Sequence, residues 1–130
     1  KENKCELGAY VVNATSQNYV INLIASGSEV EIALEAQKKL KEMRIDSKVI
    51  SMPCQELFDQ QSSVFKNEII DKQIPVITIE ASSICSWEKY SSHNMGIKTF
   101  GESAPYKEIY NHFDLTSAKV VEFVRKIIKQ

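Results

Sequence analysis

This sequence is short of the features that mark most specialised functions. Sixteen basic side chains stand against seventeen acidic ones, a net charge of −1. It therefore lacks the clustered excess of Lys and Arg that nucleic acid demands, and no nucleic-acid partner is expected. Cysteine is scarce: Cys5, Cys54 and Cys85 are widely spaced, odd in number and form no CxxC. A disulfide framework would leave one thiol over, so they read as ordinary thiols of a reducing compartment, which favours the cytoplasm. No apolar stretch approaches the roughly 20 residues of a membrane helix, so no membrane partner is expected. Nor is the polar start Lys1-Glu2-Asn3-Lys4, followed by a very short apolar run, that of a signal peptide. Repeats, linkers and low-complexity stretches are missing too. A methionine is missing from the first position, where Lys1 stands, and the chain reads as a fragment or processed piece.

What is present is the material of one soluble domain. The 130 residues are 43% apolar and 25% charged, enough to bury about two-thirds of the unfolded surface without staples. Ala9-Tyr10-Val11-Val12 predicts a short strand ending at Asn13. Tyr19 to Ala25 is nearly continuous and β-branched, the pattern of a strand covered on both faces. From Ser28 the period becomes helical, with Val30, Ala33, Leu34, Gln37 and Leu40 on one face and Gln37 its only polar member. Lys48 to Met52 predicts a third strand closed by Pro53. Glu56-Leu57-Phe58 suggests one helical turn, and Val64 to Ile70 a short helix capped by Ser62 or Ser63. Pro75 to Ile79 is a fourth strand with proline where a missing donor does least harm. Ser86 to Tyr90 predicts a short helix, Ile97 to Phe100 a short fifth strand, and Tyr106 to Phe113 a helix after Pro105. Val120, Val121, Val124, Ile127 and Ile128 define a last amphipathic helix, with Arg125, Lys126 and Lys129 in its final turns. Alternation of strand and helix implies an α/β fold, a three-layer sandwich around a mixed, mostly parallel five-stranded sheet. The short first strand is its antiparallel edge.

The loop Ser26-Gly27-Ser28, between a strand and a helix, occupies the position where open α/β sheets bind ligands, and is a candidate anion site. The stronger reading is a capped helix start. GxGxxG needs three glycines and only Gly27 is present. Ser28 and Glu31 have the spacing of a capping box, and Glu29 adds a second carboxylate that repels anions. Other candidates are weaker. His93, in a Ser/Asn-rich loop, and His112, beside Phe113, lack metal-ligand spacing and read as surface or boundary residues. Glu80, at a strand end, is a catalytic carboxylate or a holder of the adjacent Ser82-Ser83 loop, the second being favoured. Cys54 and Cys85 follow strand ends with no local base. Trp87 and Tyr90 suit packing or an interface as an aromatic pair, and Lys38, Lys39 and Lys41 a solvated helix face.

The stretches IASGSEVEIALEAQKKL, SMPCQELFDQQ, IEASSICSWEKY and TFGESAPYKEIYNHFDLT occur in the order found in the C-terminal domain of transketolase. The sequence resembles that family from about Ile21 to its end. Gly27 to Val30, Met52-Pro53, Leu57-Phe58-Asp59 and Phe100 to Pro105 are its most specific pieces. Ser82 stands where the family often has glycine, and Ser91 to Gly96 is shorter and more polar than in many members. The resemblance implies a single C-terminal domain over residues 1–130, with preceding domains as partners in a homodimeric parent. It also implies the parent reaction, in which thiamine diphosphate, held by Mg²⁺ or Ca²⁺, supplies carbanion stabilisation for two-carbon ketol transfer between sugar phosphates. The family's metal and diphosphate site begins with Gly-Asp-Gly, and this sequence has no Asp-Gly pair. No catalytic, cofactor or metal position therefore carries over, and the isolated chain is expected to be inactive. Related thiamine enzymes such as dehydrogenase E1 β-subunits and deoxyxylulose-phosphate synthase carry a similar last domain, so the resemblance extends to them as alternative parents; the segment FGESAP favours transketolase. A regulatory nucleotide- or anion-binding module using Ser26 to Glu29 is the alternative of a different class.

Overall fold

The computed structural model describes residues 7–83, 87, 89–91, 93–97 and 116–129. The expected helix Tyr106 to Phe113, the segment FGESAP, Cys5, Cys85 and His112 lie outside them.

Five strands form one sheet in the order β1-β3-β2-β4-β5: β1 (Tyr10–Ala14), β2 (Ile21–Ala25), β3 (Ser47–Ser51), β4 (Val76–Ser83) and β5 (His93–Ile97). β1 pairs with β3 antiparallel, as expected of the first strand, and the remaining pairs are parallel. Among the described residues four helices follow from the same apolar periods: α1 (Glu29–Glu42), α2 (Gln55–Asp59), α3 (Ser63–Ile69) and α4 (Ser117–Ile128). Of the two candidate caps of α3, Ser62 is the cap; its hydroxyl accepts the N–H of Phe65. Thr116 does the same for Lys119 at the start of α4.

Chain direction decides which face each helix covers. β2 to β3 moves one way along the sheet, β3 to β4 and β4 to β5 the other, and crossovers of one hand then fall on opposite faces. Accordingly α1 lies on the first face, where Ala33, Ala36 and Leu40 meet Ile21, Leu23, Val49, Ile77 and Ile79. α2, α3 and Trp87 lie on the second, where Phe58, Ile69 and Trp87 meet Ile24, Ile50 and Val76. α4 joins α1 on the first face through Val120, Val121, Val124 and Ile127. The domain is thus the expected three-layer sandwich, and every residue of β2 is buried, as its nearly continuous apolar run predicts.

Two strands differ from expectation. β4 continues past Ile79 through Ser83, so Ser82 and Ser83 are strand residues and not a loop. The fifth strand begins at His93 and not at Ile97, because polar side chains there have partners at the sheet edge. Thr78 donates its hydroxyl to Asn94 Oδ1, Asn94 Nδ2 donates to Ser91 O at 2.8 Å, and the Ser91 hydroxyl donates to Val76 O. His93 is therefore a half-buried strand residue and not an exposed loop residue; its ring stands edge-on to Phe123 of α4 at 6.2 Å. Where the expected helix Ser86 to Tyr90 is described, the backbone makes a turn, with Tyr90 N donating to Trp87 O at 3.0 Å.

Candidate functional site

In an open α/β sheet the ligand crevice lies where neighbouring strands send their crossovers to opposite faces, beyond their C-terminal ends. Here that point is between β2, which leads into α1 on the first face, and β4, which leads to Trp87 on the second. Ala25 of β2 is paired with Ile79 of β4, so Ser26 and Glu80 face each other one step further on. The Ser26 hydroxyl donates to Glu80 Oε1 at 2.7 Å. Glu80 thus ties β4 to the end of β2.

The rest of the candidate loop is also turned toward carboxylates. Gly27 adopts φ +57°, the left-handed region that glycine enters at least cost. Behind it Ser26 O and Gly27 O accept the N–H groups of Glu29 and Val30 at 3.1 and 3.2 Å. Ser28 is already helical, at φ −68° and ψ −20°, and makes no side-chain cap bond. The expected capping box with Glu31 is not formed, because a capping hydroxyl reaches back to the second or third N–H only from extended backbone. Instead the Ser28 hydroxyl donates to Glu29 Oε2 at 3.2 Å, and Glu29 is buried to 4% exposure. Both hydroxyls of the loop donate to carboxylates, so those two donors are already engaged and not turned toward an entering anion.

A second polar cluster, which sequence reading missed, sits on the other face of the sheet. Asp59 at the end of α2 accepts from Lys89 Nζ and from the Tyr90 hydroxyl, each at 2.7 Å. Lys66 Nζ donates to the Asp59 carbonyl at 3.3 Å. Trp87, Tyr90, Phe58 and Phe65 form a chain of tilted or edge-on rings with centroids 5.9 to 6.2 Å apart. The expected Trp87–Tyr90 pair is part of it. Asp59 precedes Lys89 and Tyr90 by thirty residues and more, so no local spacing could have joined them; only the β3-to-β4 crossover does.

Partial burial opposes ionisation of Asp59, but the hydrogen bonds from Lys89 and Tyr90 and the charges of Lys89 and Lys66 outweigh it. Its carboxyl stays below the ordinary range. Burial first, and then the hydrogen bond to Asp59 and its charge, hold the Tyr90 phenol above its usual value of 10.0. A raised phenol favours the folded state while it stays neutral: that contribution is whole below pH 10 and is lost as pH climbs toward the folded value. Urea unfolding between pH 9 and 11.5 is therefore expected to show stability falling more steeply in the wild type than in Tyr90→Phe. Parallel slopes would refute the assignment.

Among the described residues there is no group of three or more His, Cys, Asp or Glu able to hold a metal ion. No helix there is long and apolar enough to cross a membrane. Neither the carboxylate-facing loop nor any described acidic cluster fits a diphosphate–metal pair.

The layers, the strand order and the closed switch point together define a three-layer α/β domain with one antiparallel edge. The family of transketolase-like TK C-terminal domains matches residues 8–116, and the chain belongs to that family. It is 40% identical over 131 residues to the transketolase of Bacillus subtilis, covering 96% of this chain and 20% of that one. It is 37% identical over 126 residues to the chromosomal transketolase of Cupriavidus necator, covering 95% and 19%. The solved transketolase of Leishmania mexicana superposes with a TM-score of 0.84 at 38% identity, over 95% of this chain and 18% of that one. The chain spans about a fifth of the length of the curated relatives it matches.

Proposed function

We propose that this chain serves as the C-terminal domain of a transketolase, one unit over residues 1–130. In this reading it packs against the preceding domains of the enzyme and supports its homodimer in the cytoplasm. The parent transfers a two-carbon ketol unit from a ketose phosphate to an aldose phosphate, as in the pentose phosphate pathway. Thiamine diphosphate with Mg²⁺ or Ca²⁺ supplies the carbanion stabilisation when bound to that enzyme. This chain contributes position, not chemistry. Ser26 and Glu80 close the switch point, Gly27 turns the chain into α1, and the aromatic row on the second face stiffens the layer.

One observation carries the reading: the agreement in fold with a transketolase over 95% of this chain, at a switch point whose hydroxyls both donate to carboxylates. The free thiol of Cys54 is consistent with a reducing compartment. The regulatory alternative at Ser26 to Glu29 draws no support from that electrostatic arrangement, and the relatives described above are transketolases.

The test is a thermal titration of the chain with thiamine diphosphate and Mg²⁺. The midpoint is expected to stay unchanged, since stabilisation by mass action requires binding to the folded state. A saturable rise of several degrees would overturn the proposal.

A further inference from the structure

We propose that the cleft between α2, α3 and the Trp87–Tyr90 turn is a binding site for a small phosphate monoester. The proposal is independent of the transketolase reading. The cleft has a volume of about 340 Å³ and is lined by Lys66, Lys72 and Lys89 together with Asp59, Phe58 and Tyr90. That volume lies at the lower end of the range for small-molecule sites, and suits a ligand of sugar-phosphate or mononucleotide size.

Charge selects an anion. Among the described lining residues three lysines stand with one aspartate. Asp59 draws on Lys89 through its side chain and on Lys66 through its carbonyl, while Lys72 is exposed and projects from the loop that follows α3. Asp71, beside Lys72, is not among the described lining residues, and its carboxylate accepts the backbone N–H of Gln73 at 3.1 Å. The same three-residue wall of Lys72, Lys89 and Tyr90 also borders a second hollow of about 530 Å³ beside the start of β4, which His93 lines as well.

The type of cation and the floor narrow the ligand. Lysines offer compact charges with freely turning donors, which suit the tetrahedral oxygens of phosphate, whereas paired recognition of a planar carboxylate favours arginine. No arginine lines the cleft. Tyr90, half-buried and edge-on to the buried Phe58 at 5.9 Å, gives an apolar wall for the organic part of the ester. Tyr90 and Asp59 are fixed to each other at 2.7 Å, so that wall is held in place before a ligand arrives, which lowers the ordering cost of binding.

The experiment is amide NMR of the whole chain at constant ionic strength, titrated separately with inorganic phosphate, a pentose 5-phosphate, a nucleoside 5′-monophosphate and chloride. Saturable shifts are expected at Asn67, Lys72, Lys89 and Tyr90 with the phosphate compounds and not with chloride. Lys66→Gln with Lys72→Gln is expected to weaken binding at least tenfold. Lys119→Gln, on α4 and paired with Glu122, is expected to leave it unchanged. If the double variant does not fold, exposed Lys72→Gln alone carries the comparison, with an expected loss of about threefold. Tighter binding of the pentose phosphate than of the nucleotide would assign the organic part to a sugar, and the reverse order to a base against the aromatic wall. Shifts that do not saturate, that chloride reproduces, or that survive the lysine substitutions would overturn the site.

Discussion

Gly8→Ala is expected to cost about 4 kcal/mol and to lower the melting midpoint by roughly 15 °C. Gly8 is buried at φ +89°, and a Cβ there would lie 2.3 Å from Phe58 N, 2.6 Å from Cys54 O and 2.8 Å from Phe58 Cα. All three are backbone atoms of α2 or its entry, so no side chain can swing aside. The left-handed backbone adds about 1 kcal/mol for any residue with a Cβ. The contact is also bonded: Gly8 O accepts the N–H of Cys54 at 3.2 Å, and Cys54 O accepts that of Phe58 at 3.2 Å. Forcing α2 outward would therefore open the second core beneath Phe58 and Ala9. Gly27→Ala is the control. Its φ is +57° but nothing lies within 4 Å of the added carbon, so only the backbone strain remains, about 1 kcal/mol. Chemical denaturation of both variants decides. Equal losses would mean that α2 does not rest on the Gly8 backbone.

Most of the fold was legible because most of its elements bury a regular stripe. β2 and α1 announce themselves by period, and α4 by an apolar face that recurs every third or fourth residue. Those stripes, with the alternation of element types, also imply the parallel sheet and its two covered faces. Legibility failed where side-chain polarity is satisfied across the chain. His93 and Asn94 look like loop residues, yet Thr78 and Ser91 serve them at the edge of the sheet. Ser28 and Glu31 have the spacing of a capping box, but backbone conformation decides whether a hydroxyl can cap, and spacing does not encode it. At the candidate site, residue type pointed to the loop, and only the register of β2 against β4 showed that Ser26 faces Glu80. The Asp59, Lys89 and Tyr90 cluster had no local signal at all, since its members meet through tertiary structure alone.

Gln37 was visible from the start as the single polar member of the apolar face of α1, and the structure explains its place. It is 3% exposed. Its Nε2 donates to Asn13 O at 3.1 Å and to Ser47 O at 3.0 Å, while its Oε1 accepts from Asn13 Nδ2 at 3.0 Å. The pairing of β1 with β3 slips between Val11 and Asn13, and such an irregularity leaves backbone groups without ladder partners. The amide of Gln37 reaches from the helix into that gap and ties the antiparallel edge strand to α1. Gln37→Met keeps the volume and removes the bonds; about 2 kcal/mol is expected, because the Asn13 carbonyl loses a partner while Ser47 O retains the N–H of Thr15 at 3.0 Å. Gln37→Ala adds a cavity and is expected to cost about 3 kcal/mol. Amide exchange separates this from ordinary core loss: the amides of Tyr10 to Ala14 should lose protection in the Met variant before those of β2, as local opening of an edge strand requires. If the Met variant matched the wild type in both stability and exchange, the three bonds would contribute nothing net. β1 would then be held by its ladder alone.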